Sequence, residues 1–539
     1  MLVCAALSAG AVGGSLVTPH RLADASSFVL MTDSLLHDGD LRFDRVDLAR
    51  AKALHFDDVP AGLMLVKRAD GDYAYGKPAL YALVAVPWYA LLGVRGFLAL
   101  NGVLLAALVL IGAAVVAPRL GWRSGVLVAA GVHGLSVVPA YLHWIDPFLL
   151  LSVLVAGGFA AHRRGWPALC GAAFGAAAAY RFPYAVLLAV PLVLHLHGGR
   201  MQAAGRLVAG ALAIALGLAT ITFVSAGQWS PYTGDRYYYE ASMPFETPEE
   251  VGRPFSRDGV LERWQPPPVA QVMRGLVDFV VGRYAGVLLY FPTFFACLLW
   301  LRRWDVESVA WLMAIAGFAL ALELTVPHNR IGGAHALGNR FFVLLPIALG
   351  FVDGVVWRPW RVAGSIALAL LAMPVVRSPV DLSHVPGRTL LAWPQRLFPF
   401  EWSLAEHVSY PACFPGFCAL SDNQFDWEAS SGAVWTVGGT RADFVLVRPR
   451  ESPARLRLWS FLPEARVIDG DTVRTVRFDG GAREITLARP KVVYRNEYAE
   501  DRETAVYAVA IETDRAFRPA AHGFNADERA LGVHVRALP

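Results

Sequence analysis

Two carboxylates and one glycine-flanked group of cations are the side chains whose type and setting suit chemistry in this chain. Asp24 stands in RLADASSFVLMTDSLLHDGDLRF, shortly after an apolar N-terminal segment, and Asp146 stands in YLHWIDPFLLL, in a short turn between two apolar runs. A carboxylate held at a membrane surface can accept a proton or bind a cation. Each also has a plain structural reading as a helix cap: Asp24 for the run Ala25–Leu36, and Asp146 ahead of Pro147 as first helical residue. The HDGD that follows reads as a helix terminator rather than a metal site. The cations are in PHNRIGGAHALGNRFFV, where His328, Arg330, His335 and Arg340 surround three glycines. Backbone amides and guanidinium forks converging there suit an anion such as phosphate, and Arg340 is expected to open the next helix, whose positive end favours the same charge. The plainer reading is an anchor for lipid headgroups. Lys77 in YAYGKPALYAL reads as a snorkelling lysine and Arg181 in AAAYRFPYA as a lone charge in a tight turn, structural or phosphate-binding.

The elements that must position these residues are apolar segments joined by alternating loops. Compact basic loops occur around Arg119/Arg123, Arg163/Arg164, Arg200/Arg206, Arg302/Arg303 and Arg358/Arg361, and the loops between them carry acids, tyrosines and tryptophans. Arginines near segment ends stay on the cytoplasmic side, so the alternation predicts both an α-helical polytopic membrane protein and its orientation. Of 539 residues, 55% are hydrophobic and 17% charged, which suits that class rather than a soluble one. The net charge of +4 follows from the loops, and without a basic stripe interleaved with aromatics it implies no nucleic-acid partner.

Met1–Val17 reads as a first helix or a signal peptide. The later segments are Leu98–Ala117, Gly125–Tyr141, Pro147–Ala161, Pro167–Tyr180, Pro183–Leu194, Leu207–Ser225, Ala285–Leu301, Val306–Leu324, Phe341–Val352 and Val362–Val376. That predicts about 11 crossings, several of them short. Residues 1–376 form the membrane module, with long outer loops at 18–97 and 227–283. The first of these holds a charged amphipathic stretch, DRVDLARAKALHF, and an interfacial helix, KPALYALVAVPWYALLG. Residues 377–431 read as a linker and 432–539, with short alternating stretches such as AVWTVGG and ADFVLVR, as a soluble extracytoplasmic β-sandwich. Cys413 and Cys418 are the two cysteines expected outside the membrane, where a disulfide between them is favoured.

Taken together, LADASSFVLMTDSLLHDGD, YGKPALYALVAVPWYALLG, the turn with Asp146 and GGAHALGNRFF resemble, in order and sidedness, the GT-C superfamily of membrane glycosyltransferases, which includes the protein O-mannosyltransferases and aminoarabinose transferases. The resemblance covers roughly residues 1–376. It implies transfer of a sugar, with inversion, from a polyprenyl-phosphate donor to a glycan, lipid or protein acceptor at the outer face of the plasma (inner) membrane. It casts Asp24 as general base and Asp146 as a second acid that orients the acceptor or shares a divalent metal with Asp24. Lys77, Arg330 and Arg340 would stabilise the leaving lipid phosphate, with His328, His335 and Arg181 as further phosphate ligands. Many relatives carry Asp-Glu where this chain has Asp24-Ala25, which removes one carboxylate from a metal site there. The competing readings are a lipid-linked sugar flippase and an inactive glycan-binding relative.

Overall fold

The structure, a computed structural model, describes residues 24–53, 63–68, 71–230, 236–239, 243–246, 253–256, 267–301, 304–325, 338–352, 354, 356–377, 379, 393–401, 413–414, 416–421, 423–425, 428, 432–495 and 503–538. It is mostly helical, with antiparallel sheets toward the C-terminus. Two compact units divide the chain: Met1–Pro266 with Tyr290–Thr325 and Phe341–Ser383, and Pro267–Leu289 with Val326–Arg340 and His384–Pro539.

Among the described residues of Met1–Pro266, the helices are α1 (Asp24–His37), α2 (Arg45–Ala53), α3 (Leu80–Leu92), α4 (Arg95–Leu120), α5 (Trp122–Gly134), α6 (Phe148–Arg163), α7 (Pro167–Tyr180), α8 (Val186–His197) and α9 (Met201–Ala226). Among the described residues, four helical runs are long and apolar enough to cross a membrane: Arg95–Leu120, Met201–Ser225, Val306–Thr325 and Pro359–Arg377. Each lies on an expected crossing. The expected total of about 11 is not supported, and the reason is local. Pro147, Pro167, Pro183 and Gly198 cut the intervening apolar sequence into α5 to α8, of 13, 16, 14 and 12 residues. At 1.5 Å per residue such helices reach roughly 18–24 Å, short of the ~30 Å hydrocarbon layer. The segment from Ala285 breaks before Pro292 into Val287–Tyr290 and Pro292–Leu298, and that from Phe341 contains only the short helix Leu345–Ala348 with a 3-10 turn. Met1–Val17 lies outside the described residues.

Close packing of α7 on α9 rests on glycine. Gly171 and Gly175, four apart on α7, abut α9 so tightly that a Cβ on Gly171 would sit 1.9 Å from the Leu207 carbonyl oxygen. Small residues at this spacing let two apolar helices meet backbone to backbone, gaining dispersion contacts where no hydrophobic driving force exists in lipid. The remaining surface of α9 is largely exposed.

The two long loops expected on the outer side contribute strands to one sheet. Strands β1 (Arg42–Phe43), β2 (Leu63–Lys67) and β3 (Tyr73–Tyr75) from the first pair with β4 (Arg236–Tyr239) and β5 (Arg253–Ser256) from the second, in the order β1-β3-β2-β4-β5. Every pairing is antiparallel, with Leu63 opposite Tyr239 and Leu65 opposite Tyr75. Leu63, Met64, Leu65 and Val66 are all buried, so the strand shows no polar alternation. Helix α3, expected at the interface, is 13 residues long and buries Tyr81, Ala85 and Tyr89 along one face while Leu91 and Leu92 are exposed.

In the second unit, two antiparallel sheets share one core. One has four strands, β13-β10-β16-β8, and the other runs β12-β11-β15-β9-β7-β6 with β14 (Val492–Arg495) beside β15. Val434, Leu456, Leu458, Val533 and Val535 of the first sheet meet Phe417, Phe444, Leu446, Val467 and Ile511 of the second. The strands are β6 (Cys413–Phe414), β7 (Phe417–Ala419), β8 (Ala433–Val437), β9 (Arg441–Pro449), β10 (Arg455–Trp459), β11 (Glu464–Asp469), β12 (Thr472–Arg477), β13 (Arg483–Thr486), β15 (Glu503–Glu512) and β16 (Leu531–Ala537). Strands β6 and β7 extend this region N-terminal to the expected start at residue 432. Cys418 is disulfide-bonded, and the strand register places Cys413 directly across from it.

Candidate active site

Helix α1 begins at Asp24, whose backbone is described and whose side chain lies outside the described part. One turn on, Ser27 accepts from the Met64 amide at 3.0 Å, and Phe28 packs edge-on against Tyr81 of α3, with ring centres 5.4 Å apart. Tyr81 donates to Asn101 Oδ1 at 3.1 Å, and Asn101 Nδ2 donates to the carbonyl oxygens of Tyr141, Leu142 and Trp144, the last at 2.7 Å. Those carbonyls belong to the segment that presents Asp146, and the Tyr81 hydroxyl faces the Asp146 backbone. Asn101 is fully buried in α4. A polar side chain in an apolar helix is costly unless every group is matched, and here both ends of the amide are used. Sequence reasoning passed over Asn101; its signal was a lone amide inside an apolar run.

Asp146 is buried and sits among aromatic rings. Tyr141 packs on Trp144 and Phe148 at 5.0 and 5.9 Å, and Phe148 meets Phe341 at 6.2 Å. Helix α6 starts at Phe148 with Pro147 in the cap position, one residue later than the Asp146 cap reading. Phe341 is held from two sides: the Tyr184 hydroxyl donates to its carbonyl oxygen at 2.6 Å, and the Arg181 guanidinium lies 3.6 Å from its ring centre. Arg181 is therefore in a cation–π contact, which stabilises a desolvated guanidinium without neutralising it. Tyr184 lies within electrostatic range of both Arg181 and Asp146. A carboxylate, a guanidinium and two tyrosine hydroxyls thus share one aromatic-walled region of the first unit, where low dielectric strengthens each charge.

Lys77 is half-buried in the turn between β3 and α3. Gly76 before it donates to the Met64 carbonyl at 2.9 Å and is tightly packed, with Met64 Cγ 3.1 Å from where a Cβ would stand. His328, Arg330 and His335 lie outside the described residues. Arg340 is described, in the second unit. Gly338, with φ of +71°, donates to the Tyr284 carbonyl at 3.0 Å and sets the turn that carries Arg340. Arg340 does not open a helix: Phe341 and Phe342 continue irregularly and helix begins at Leu345, because Pro346 suits a helix start and not its interior.

A second ionic centre lies among residues 33–50. Helix α1 ends where Asp38 and Gly39 amides both donate to the Ser34 carbonyl and Gly39 takes φ of +72°, so HDGD does terminate the helix. Asp33 and Asp38 from this end of α1, with Asp47 of α2 itself, clamp Arg50 of α2: Nε is 2.8 Å from Asp33, Nη2 is 2.6 Å from Asp47, and Asp38 pairs with the same guanidinium. Tyr89 donates to Asp33 at 2.9 Å. Burial pushes the Asp47 carboxyl up to about 6 despite the Asp44 amide and Arg50, while Asp38 foremost raises the Arg50 guanidinium above its ordinary value. With three carboxylates gathered on one guanidinium, this centre braces α1 against α2. Among the described residues no group of three or more His, Cys, Asp or Glu converges as metal ligands.

In the second unit, the fully buried Glu401 accepts from the amides of Tyr284 and Ala285 at 2.9 and 2.7 Å. Burial, aided by the Asp278 carboxylate, pushes its carboxyl up to about 8. Arg283 beside it donates to the carbonyls of Phe398, Leu420 and Arg396. Nothing local in the sequence marked Glu401.

No family model, curated protein or solved structure matches this chain.

Proposed function

We propose that this chain is a multi-pass glycosyltransferase of the plasma membrane that moves a sugar from a polyprenyl-phosphate donor to an acceptor hydroxyl on the extracytoplasmic side. The observation that carries the reading is the connected path from α1, opened by Asp24, through Phe28, Tyr81 and Asn101 to the turn bearing the buried Asp146. It links two carboxylate-bearing segments separated by more than one hundred residues to a single aromatic-walled region of the first unit.

In the proposed reaction Asp24 takes the acceptor hydroxyl proton as its oxygen bonds to the anomeric carbon. The anomeric C–O bond to phosphate breaks, and the lipid phosphate leaves with the electron pair. Asp146 orients the acceptor. Lys77, Arg181, Arg330 and Arg340 offset the charge growing on the leaving phosphate, with His328 and His335 donating to its oxygens. In this reading the shorter apolar helices α5 to α8 belong to the same membrane bundle, with Leu127, Leu169 and Val193 on their exposed faces. Arginine supports this orientation: Arg119, Arg163 and Arg200 lie at or beyond the C-terminal ends of α4, α6 and α8, while the other end of α4, opened by Arg95, leads into α3 and the five-stranded sheet.

The test is an assay of the purified full-length protein with a polyprenyl-phosphate sugar. Release of polyprenyl phosphate is expected. Movement of the intact lipid across a vesicle bilayer without release would mean a flippase, and neither outcome a binding protein.

A further inference from the structure

The Leu120 end of α4 borders a cleft that transfer chemistry at the opposite end does not use. It is a partly open cleft between Leu120, Val128, Val362 and Trp357, with Arg358 and Arg361 as the charged side chains among its described lining. Two candidate spans, Arg95–Leu120 and Pro359–Arg377, contribute walls, so the cleft lies where apolar span meets headgroup layer. Around this end of the first unit Trp122, Trp357 and Trp360 are all more than half exposed, as in an interfacial aromatic belt.

Two features point to an anion. Arg361 lies over the Trp360 ring, 5.3 Å from its centre, and its Nε is enclosed with no hydrogen-bond acceptor among the described residues. Arg358 caps the helix Pro359–Ala369, whose first-turn amides direct their positive end to the same place. Arg119, by contrast, is already engaged, donating to the Val352 carbonyl at 3.2 Å. A ligand matching this lining needs a phosphate for the guanidinium pair and a chain to fill the apolar wall.

We infer that this cleft binds an anionic glycerophospholipid of the arginine-loop leaflet, with the phosphate on Arg358 and Arg361 and an acyl chain against Leu120, Val128 and Val362. The site is independent of the proposed transfer chemistry and stands or falls without it.

The experiment is native mass spectrometry of the full-length protein in detergent, titrated with dioleoyl-phosphatidylglycerol or dioleoyl-phosphatidylcholine. Phosphatidylglycerol is expected to remain bound at concentrations where phosphatidylcholine does not, and the R358Q/R361Q double variant to weaken it at least ten-fold. The R358K/R361K variant, which keeps the charge, is expected to recover most of that loss, separating lost charge from lost fold. Equal retention of the two lipids, or unchanged binding by R358Q/R361Q, would overturn the site. Displacement of the lipid by millimolar inorganic phosphate alone would also overturn it, because the apolar wall would then contribute nothing.

Discussion

The Asn101 side-chain amide donates to the Trp144 carbonyl at 2.7 Å while its oxygen accepts from Tyr81 at 3.1 Å, so one buried residue of α4 fixes both α3 and the turn that presents Asp146. Asn101→Ala strands a tyrosine hydroxyl and the carbonyls of that turn away from water. Unmet buried groups cost about 1–3 kcal/mol each, so thermal unfolding in detergent should move down by several degrees. Asn101→Asp restores an acceptor for Tyr81 but not the donor to Trp144, and should recover only part of the loss.

If Asp24 is the base, Asp24→Asn abolishes release of polyprenyl phosphate while expression and melting temperature stay normal. Asp146→Asn, altering a group that orients rather than abstracts, should leave a residual rate and raise the acceptor KM. Full turnover by Asp24→Asn would remove that residue from the chemistry.

Arg340→Ala should raise the donor KM by more than roughly ten-fold if the guanidinium holds phosphate through charge-assisted hydrogen bonds. Arg340→Lys, which keeps charge but not the fork, should fall between. An unaltered donor KM in Arg340→Ala would make it an anchor only.

Glu401 links stability to pH. Its carboxyl titrates at about 8 in the folded chain against an ordinary 4.5, so the native state binds the extra proton across that interval. Its contribution is fully present below 4.5 and is lost as pH rises toward about 8, at roughly 1.4 kcal/mol per pH unit at most. The unfolding midpoint should therefore fall with rising pH over this window, and Glu401→Gln should flatten the dependence. An identical slope in the Gln variant would assign it to other groups.

Gly171→Leu forces a side chain into the Leu207 carbonyl, where a Cβ would already be 1.9 Å away. Separation of α7 from α9 should cost about 1–3 kcal/mol and shorten the half-life of the detergent-solubilised protein. Gly157→Leu, at a helical glycine with nothing within 4 Å of the added carbon, is the matched control and should be nearly neutral.

Local chemistry in the sequence determined the helix that Asp24 opens, its stop at HDGD, the boundaries Pro167–Tyr180, the four long apolar spans and the alternating strands after residue 432. Each of these depends on neighbours a few positions away: continuous apolar length, a glycine able to take positive φ, or period-two alternation. The count of crossings was overestimated because hydropathy integrates over a window while proline and glycine break helices at single positions. Pairing of the two long loops, the clamp of Asp33, Asp38 and Asp47 on Arg50, the bracing of Asp146 by Asn101 and the burial of Glu401 were decided by tertiary structure alone. Strands of three to five residues that are buried on both faces carry no alternation to read. Nor does a carboxylate's own sequence neighbourhood record which distant arginine, amide or carboxylate folding will bring to it.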